Sequence, residues 1–194
     1  MTEARLEDSG SGLAPVGEGW FVSNVRNARW ISSDTFGSVC RFDSQNAWFQ
    51  QVGINLRVLE PGQPNCLYHS ESQQEGVLVL SGECKLLVNG EERLLRQWDF
   101  FHCPAGTEHV CVGAGDGPCV ILMVGARKED GEIIYPVSEL AARYGASVET
   151  ETANPKEAYA PFGPPPPVKP SSWEQLPWAY PYSRAASSCD IPAL

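Results

Sequence analysis

The chain has 194 residues, of which 42% are hydrophobic, and its 24 acidic and 14 basic side chains give a formal net charge of −10. This length suits one domain with extensions, and the apolar content is sufficient for a packed core. The negative charge argues against nucleic acid and anionic membrane surfaces as partners, because both attract basic proteins. No stretch of the sequence reaches the roughly 18 to 20 apolar residues of a membrane-spanning helix.

The N-terminal part of the chain divides into two segments. Residues 1–18 are polar and rich in Gly, Ser and Glu, which predicts a flexible segment. They lack the basic start and apolar core of a secretory signal, so we expect a cytoplasmic location. Residues 19–51 contain several aromatic side chains and predict a strand-rich extension that covers one side of the core.

Residues 52–127 predict the central domain. Short apolar runs, such as residues 54–59 and 77–80, end at turn-forming Gly and Pro residues. The pair Asn89-Gly90 is typical of a two-residue hairpin turn. Repeated short strands without a helical period predict an all-β fold, either an antiparallel sandwich or a barrel.

Residues 128–194 predict a C-terminal extension with short helices. Ser138 as N-cap and Gly145 as stop bound one helix, and Asn154 followed by Pro155 is typical of a second helix start. The prolines at 164–167 predict a polyproline segment. Aromatic residues near the end indicate a tail that packs on the domain or on a partner subunit. These residues are Trp173, Trp178, Tyr180 and Tyr182.

The cysteines are interpreted as buried thiols. There are seven of them, an odd number, and they are scattered without a Cys-x-x-Cys pair. Several lie in or beside apolar strand-like runs, where free Cys is commonly buried. A zinc-cysteine site or a nucleophilic Cys is the alternative.

The candidate chemistry involves two of the three histidines. His69 and Glu71 lie two residues apart, so on a strand they face the same side, and a short turn then brings Glu75 to the start of the next strand. A Pro/Gly turn and a new strand deliver His109 into the fold. His102 fits no such pattern and is interpreted as a structural residue.

The spacing of these residues resembles the two sequence motifs of the cupin family. The first motif spans residues 69–82 and the second includes residues 104–109, within a resemblance that covers residues 52–126. The matching residues are His69, Glu71, Glu75, Gly82, Pro104, Gly106 and His109. The resemblance implies a cupin jelly-roll barrel, also called a double-stranded β-helix, with short C-terminal helices and a Pro-rich tail.

The resemblance implies a divalent metal ion held by His69, Glu75 and His109. Glu71 stands where cupins usually carry a second histidine, and its role is open between fourth ligand, general base and a residue that orients a ligand. Two imidazoles and a carboxylate leave coordination positions free, as in non-haem iron oxygenases. A second carboxylate from Glu71 would suit Fe, Mn, Ni or Co, and Zn also accepts histidine and carboxylate ligands.

Two aromatic features remain open. Trp98 stands where the second motif usually has glycine. This substitution either alters a turn or places an aromatic side chain at the barrel mouth. The neighbouring aromatic side chains either fill the barrel or shape a substrate pocket. These neighbours are Tyr68, Phe100 and Phe101.

The functional expectation is a metal-dependent enzyme, of dioxygenase or isomerase type, acting on a small organic molecule. The alternatives are a non-enzymatic binding module or sensor with a structural metal, and a barrel that has lost its metal. Residues 77–80 are apolar on both strand faces, so the outer face needs cover from another sheet, an extension or another subunit. A homodimer is expected, in keeping with the habit of cupins.

Overall fold

The computed structural model describes residues 1–179 of the chain. About 42% of the residues lie in strands and 6% in helices, which confirms the predicted all-β class. Tyr180 and Tyr182 of the predicted aromatic tail lie outside the described residues. Within residues 1–179, no helix is both long and apolar enough to span a membrane.

The strands form two larger sheets and two small pairs. In chain order the strands are β1 (Arg5–Asp8), β2 (Leu13–Val16), β3 (Trp30–Ser33), β4 (Gly37–Arg41), β5 (Val52–Leu59), β6 (Ser70–Glu71), β7 (Glu75–Ser81), β8 (Glu83–Val88), β9 (Glu91–Arg96), β10 (Phe100–Cys103), β11 (His109–Ala114), β12 (Cys119–Ala126) and β13 (Ile133–Ile134). The six-stranded sheet has the order β10-β7-β12-β5-β4-β3, and the three-stranded sheet has the order β11-β8-β9. The pairs are β1-β2 and β13-β6, and neighbouring strands are antiparallel.

The main core lies between the two larger sheets. Alternation along β7 turns Val77 and Val79 toward this core and Leu78 toward the opposite face, as the period of two in a strand requires. The core is made of aliphatic side chains and thiols from both sheets. Its fully buried members include Leu59, Cys84, Cys111, Cys119 and Ile121.

The chain's own extensions cover part of the outer face of the six-stranded sheet. Trp30 of β3 is fully buried there, and its ring lies 5.8 Å from that of Trp173 and 5.7 Å from that of Trp178. Leu80 of β7 packs against the same cluster. Trp173 and Trp178 of the predicted tail therefore pack on the domain, one of the two predicted alternatives.

Two short helices, α1 (Glu139–Ala142) and α2 (Pro155–Ala158), follow the sheets. Both begin at the predicted caps, because the Ser138 side chain accepts a hydrogen bond from the Ala141 N–H and Asn154 accepts one from the Lys156 N–H. They pack outside the core in two smaller apolar clusters.

The N-terminal segment contains the hairpin of β1 and β2, in which Arg5 pairs with Val16. Its predicted flexibility concerns motion and stays a prediction, as do the predicted segment boundaries.

Candidate metal centre

Two histidines face each other across a backbone pair at one end of the core. His69 and His109 exchange both backbone hydrogen bonds, with N–H to carbonyl oxygen distances of 3.2 and 2.8 Å. Their rings lie 4.8 Å apart, centroid to centroid. The turn before β11 contains Gly106 with φ of +77°, a conformation that glycine adopts without strain. This turn delivers His109 to the first position of β11.

Glu75 completes a group of three. As the first residue of β7 it lies on the same strand face as Val77, and its Oε2 is 3.3 Å from His109 Nε2 and 3.8 Å from His69 Nε2. The ligand atoms of the three residues all lie within 4.8 Å of one another. The structure thus brings together the three residues that the sequence motifs single out.

The hydrogen bonds of the two rings orient them toward Glu75. His69 Nδ1 lies 2.8 Å from the Leu67 carbonyl oxygen, and His109 Nδ1 lies 3.1 Å from that of Thr107. A carbonyl only accepts, so each Nδ1 carries the proton and donates it. Each Nε2 then presents a lone pair to the Glu75 carboxyl group, the arrangement of metal-binding histidines.

This arrangement leaves two buried polar atoms without partners among the described residues. His109 Nε2 and Glu75 Oε2 are sealed from solvent, and neither has a hydrogen-bond partner. Two facing acceptors in an apolar core are costly unless a proton or a cation lies between them. The residues present therefore fit a divalent metal ion.

The pKa values follow from the burial of this group. Burial raises the pKa of Glu75 to about 7. Burial and then the neighbouring charge of Glu75 raise the pKa of Glu71 to about 7. Burial, and secondly His109, lower the pKa of His69 to about 4. At neutral pH the histidines are therefore uncharged and able to bind a cation, while the two carboxyl groups are partly protonated and a cation would displace the remaining protons.

Glu71 lies beside the group and faces a cavity. Its Oε1 is 3.7 Å from His69 Nε2, and its side chain is 29% exposed. It lines a cavity of about 360 Å³ together with Trp48, Gln73 and Arg127. The site therefore has one side open to a space that can admit a small molecule. The role of Glu71 stays a prediction.

Two thiols at the site were not singled out by the sequence. Cys66 Sγ lies 3.6 Å from His69 Nδ1, and Cys103 Sγ lies 3.4 Å from His109 Nδ1. Burial raises the pKa of both thiols to about 12, so they are neutral. Cys103 could have been found from strand alternation, because it lies two residues beyond Phe101 on β10. Cys66 lies in an irregular loop and has no such signal.

The flanking aromatic residues separate into two groups. The Phe101 ring packs 5.8 Å from the His109 ring and belongs to the core, and Tyr68 is buried beside α1. Trp98 is 68% exposed and Phe100 is 65% exposed, so both lie on the surface. His102 is exposed on the outer face of β10, away from the metal centre.

Comparison with known families agrees with this geometry. Residues 55–125 match the family model described as the cupin domain. The resemblance to cupins is therefore confirmed over residues 55–125. No curated protein matches it, whereas 407 chains of solved structures do.

Three solved structures are similar to parts of this chain. A sugar phosphate isomerase from Silicibacter pomeroyi is 28% identical, with a TM-score of 0.50, over 57% of this chain and 78% of that chain. A protein from Acidithiobacillus ferrooxidans, assigned as a sugar phosphate isomerase, is 26% identical with a TM-score of 0.45, over 50% of this chain and 65% of that chain. The polyketide cyclase RemF from Streptomyces resistomycificus is 13% identical with a TM-score of 0.48, over 55% of this chain and 79% of that chain.

Proposed function

We propose that this cupin is a metal-dependent enzyme, of isomerase or oxygenase type, that acts on a small organic molecule. His69, Glu75 and His109 hold the divalent metal ion. The observation that carries the proposal is the buried, partnerless pair of His109 Nε2 and Glu75 Oε2 beside His69 Nε2. If the site never held a metal ion, these unpaired buried atoms would destabilise the fold and no interaction would compensate for them.

The ion supplies Lewis acidity or a site for dioxygen activation, and Fe, Mn, Ni, Co and Zn all suit the donor set. The chain's own residues do the positioning. The carbonyl groups of Leu67 and Thr107 fix the two rings, and the Phe101 ring packed beside His109 excludes water from one side.

Glu71 is the residue that we assign to proton transfer. Its carboxyl group borders the cavity and lies 3.7 Å from His69 Nε2, so it is within reach of a molecule bound beside the metal and can accept a proton from it and return that proton. An isomerase that moves a proton between two carbon atoms needs such a group. The Silicibacter pomeroyi protein, described as a sugar phosphate isomerase, supports the isomerase branch of the proposal.

The cavity favours an enzyme over a structural metal site. A metal that only staples the fold is expected to have a closed shell of four ligands, with Glu71 turned onto the ion. The Glu71 side chain is instead 29% exposed beside a cavity of about 360 Å³.

The first test is elemental analysis of protein purified without an immobilised-metal column. We expect a stoichiometric amount of one divalent metal, or its uptake on titration with Fe, Mn, Ni, Co and Zn salts. Metal-loaded protein is then incubated with a panel of sugar phosphates in D₂O, and dioxygen uptake is followed in parallel. Failure to bind any of the five metals would refute the proposal.

We also propose a homodimer. The observation behind this proposal is that two large apolar side chains two residues apart, Trp98 and Phe100, are 68% and 65% exposed and would be covered in a dimer. Sedimentation equilibrium should give twice the chain mass, and Phe100→Asp should shift the protein toward the monomer. A wild-type protein that sediments as a monomer at high concentration would contradict this.

A further inference from the structure

A second cavity, of about 420 Å³, lies against the inner face of the six-stranded sheet near its β3 edge. Its floor includes Arg57 of β5 and Arg41 of β4, and residues 159–165 of the C-terminal extension border it. This volume falls in the range of small-molecule sites, which is roughly 300 to 1,000 Å³. The Glu71 cavity shares none of its lining residues.

The charge in this cavity is unbalanced. The Nε of Arg57 is sealed from solvent and has no hydrogen-bond partner among residues 1–179. Within the same residues, no carboxylate lies within ion-pair distance of Arg57 or Arg41. Burial is the main cause that lowers the pKa of Arg57, and the charge of Arg41 lowers it further. Two arginines, the partly buried Arg57 and the exposed Arg41, therefore line this cavity without an ion-pair partner among the described residues.

Arg127 is an arginine with a structural role, and its contacts can be compared with those of Arg57. Its guanidinium donates to the Asp43 carboxylate at 2.9 Å and to the Phe49 carbonyl at 2.7 Å. The guanidinium also lies over the Trp48 ring, 3.6 Å from its centroid. Arg57 has none of these partners, so its burial lacks the compensation that a structural arginine receives.

The walls of the cavity are aromatic. The Phe36 ring lies 4.7 Å from the Phe162 ring and 5.4 Å from the Tyr159 ring. The Tyr159 hydroxyl accepts a hydrogen bond from the Leu67 N–H at 3.1 Å, which leaves its own proton free for donation. A ligand would therefore meet positive charge on one side and apolar rings on another.

The cavity borders the metal centre from behind His69. Cys66 lines the cavity, and its Sγ lies 3.6 Å from the Nδ1 of His69, the ring nitrogen that faces away from Glu75. Only the Cys66 side chain would therefore separate a molecule bound here from the proposed metal ligand His69.

We propose that this cavity binds a small organic anion, with its charged group at Arg57 and Arg41 and its apolar part among Phe36, Tyr159 and Phe162. Arginine is suited to this task, because its planar guanidinium recognises a carboxylate or a phosphate through paired hydrogen bonds. As a binding site the cavity is independent of the metal. As the place that selects the substrate class, it rests on the proposed function.

The probes are benzoate, inorganic phosphate and the neutral amide benzamide, titrated by calorimetry into metal-free full-length protein. Benzoate carries both the charge and an apolar body, so we expect it to bind most tightly. Benzamide should bind at least about tenfold more weakly, since it loses a charge-assisted hydrogen bond. Benzamide binding as tightly as benzoate would refute the anion site, and phosphate binding more tightly than benzoate would refute the organic class.

Variants of Arg57 test the residue itself. Arg57→Gln should weaken benzoate binding about 10- to 100-fold, and Arg57→Lys should retain more of the affinity because it keeps the charge. Arg93→Gln, the same change at an exposed arginine of β9, is the matched control and should leave binding unchanged.

The ligand-free Tm shows whether Arg57 has only a structural role. Arg57→Gln removes an unpaired charge, so its Tm should equal or exceed that of wild type. A lower Tm combined with wild-type benzoate affinity would overturn the proposal.

His69→Ala separates this site from the metal centre. This variant should lose metal and still bind benzoate. Wild-type protein that binds benzoate but no metal would refute the proposed function alone, and the converse result would refute the anion site alone.

Discussion

The two ends of the core between the sheets differ in chemistry although the same strands build both. On β7, Glu75 faces the candidate metal centre, and two and four residues later Val77 and Val79 are fully buried among apolar side chains. On β11, His109 faces the metal centre and Cys111, two residues on, packs in the apolar half. Each strand therefore passes from a polar site to apolar packing within two residues.

The apolar packing at one end of the core offsets the cost of the buried polar atoms at the other end. Each buried polar atom without a partner costs about 1–3 kcal/mol, so His109 Nε2 and Glu75 Oε2 burden the metal-free fold. The apolar half carries no such cost and stabilises the strands that hold both ends. Metal binding and stability should therefore respond to different residues.

The largest expected effect is loss of metal binding at the polar end. His109→Ala should weaken metal affinity at least about 100-fold, because loss of an outer partner of a ligand alone costs about 10- to 100-fold. The variant should stay folded, as judged by circular dichroism. His102→Ala is the matched control, since His102 is exposed on the outer face of β10. Equal metal stoichiometry in the His109→Ala and His102→Ala variants would contradict the assignment of metal binding to the polar end of the core.

The next effect concerns the apolar end. Ile121→Ala should lower the free energy of unfolding by about 2–5 kcal/mol, because Ile121 is fully buried and truncation leaves a cavity. Leu122→Ala should cost less, since the next side chain is only partly buried on the other face of β12. Urea unfolding measures both. Metal affinity of folded Ile121→Ala should equal that of wild type, and a large loss would mean that the two ends are coupled.

A third effect is the pH dependence of metal affinity. In the metal-free protein the pKa of Glu75 is raised to about 7, so below this pH the metal must displace its proton. Affinity should therefore fall about tenfold for each pH unit between pH 7 and 5. His69, with its pKa lowered to about 4, should not contribute in this range.

The slope also reports on Glu71, whose pKa is likewise raised to about 7. If Glu71 binds the ion, two protons are displaced and the loss approaches about 100-fold per pH unit. Glu71→Gln would then reduce the slope to about tenfold, and an unchanged slope would exclude Glu71 as a ligand. An affinity that is constant from pH 7 to 5 would contradict both forms of the prediction.

Much of the fold could be predicted because its signals are local. The pair Asn89-Gly90 gave the β8–β9 hairpin, and both residues have the positive φ, 46° and 80°, that such a turn requires. Ser138 and Asn154 gave the helix starts for a similar reason, since a cap bonds within its own first turn. The spacing of the two motifs also indicated which three polar residues meet.

The remainder depends on contacts between distant parts of the chain. The cavity at Arg57 is lined by Phe36, which precedes the cupin domain in sequence, and by Tyr159, which follows it. The sequence around Arg57 does not indicate a contact with either residue. The pairing of β13 with β6 beside the metal centre is equally non-local. Trp98 shows a further limit, because its motif position predicts either an altered turn or a place at the barrel mouth and does not indicate how exposed the side chain is, which the structure gives as 68%.

The smallest expected effect lies at the turn that precedes β10, over the apolar end. The Trp98 N–H donates to the Val79 carbonyl at 2.8 Å, and its φ is 75°, a left-handed conformation that costs a non-glycine residue about 1–2 kcal/mol. Trp98→Gly and Trp98→Ala both remove the exposed ring but differ by one Cβ. The glycine variant should be the more stable by about 1 kcal/mol in urea unfolding, because glycine adopts this φ without strain.

Gly82 provides the reverse substitution at the neighbouring turn between β7 and β8. Its φ is 74°, and a Cβ there would lie 2.6 Å from the Pro118 carbonyl oxygen, so Gly82→Ala should destabilise the fold by more than the difference between the two Trp98 variants. Metal affinity should be unchanged in the Trp98 variants, because the strained backbone lies at the apolar end of the core and the proposed metal ligands lie at the polar end. Equal stability of Trp98→Gly and Trp98→Ala would show that the backbone at position 98 is not strained in solution.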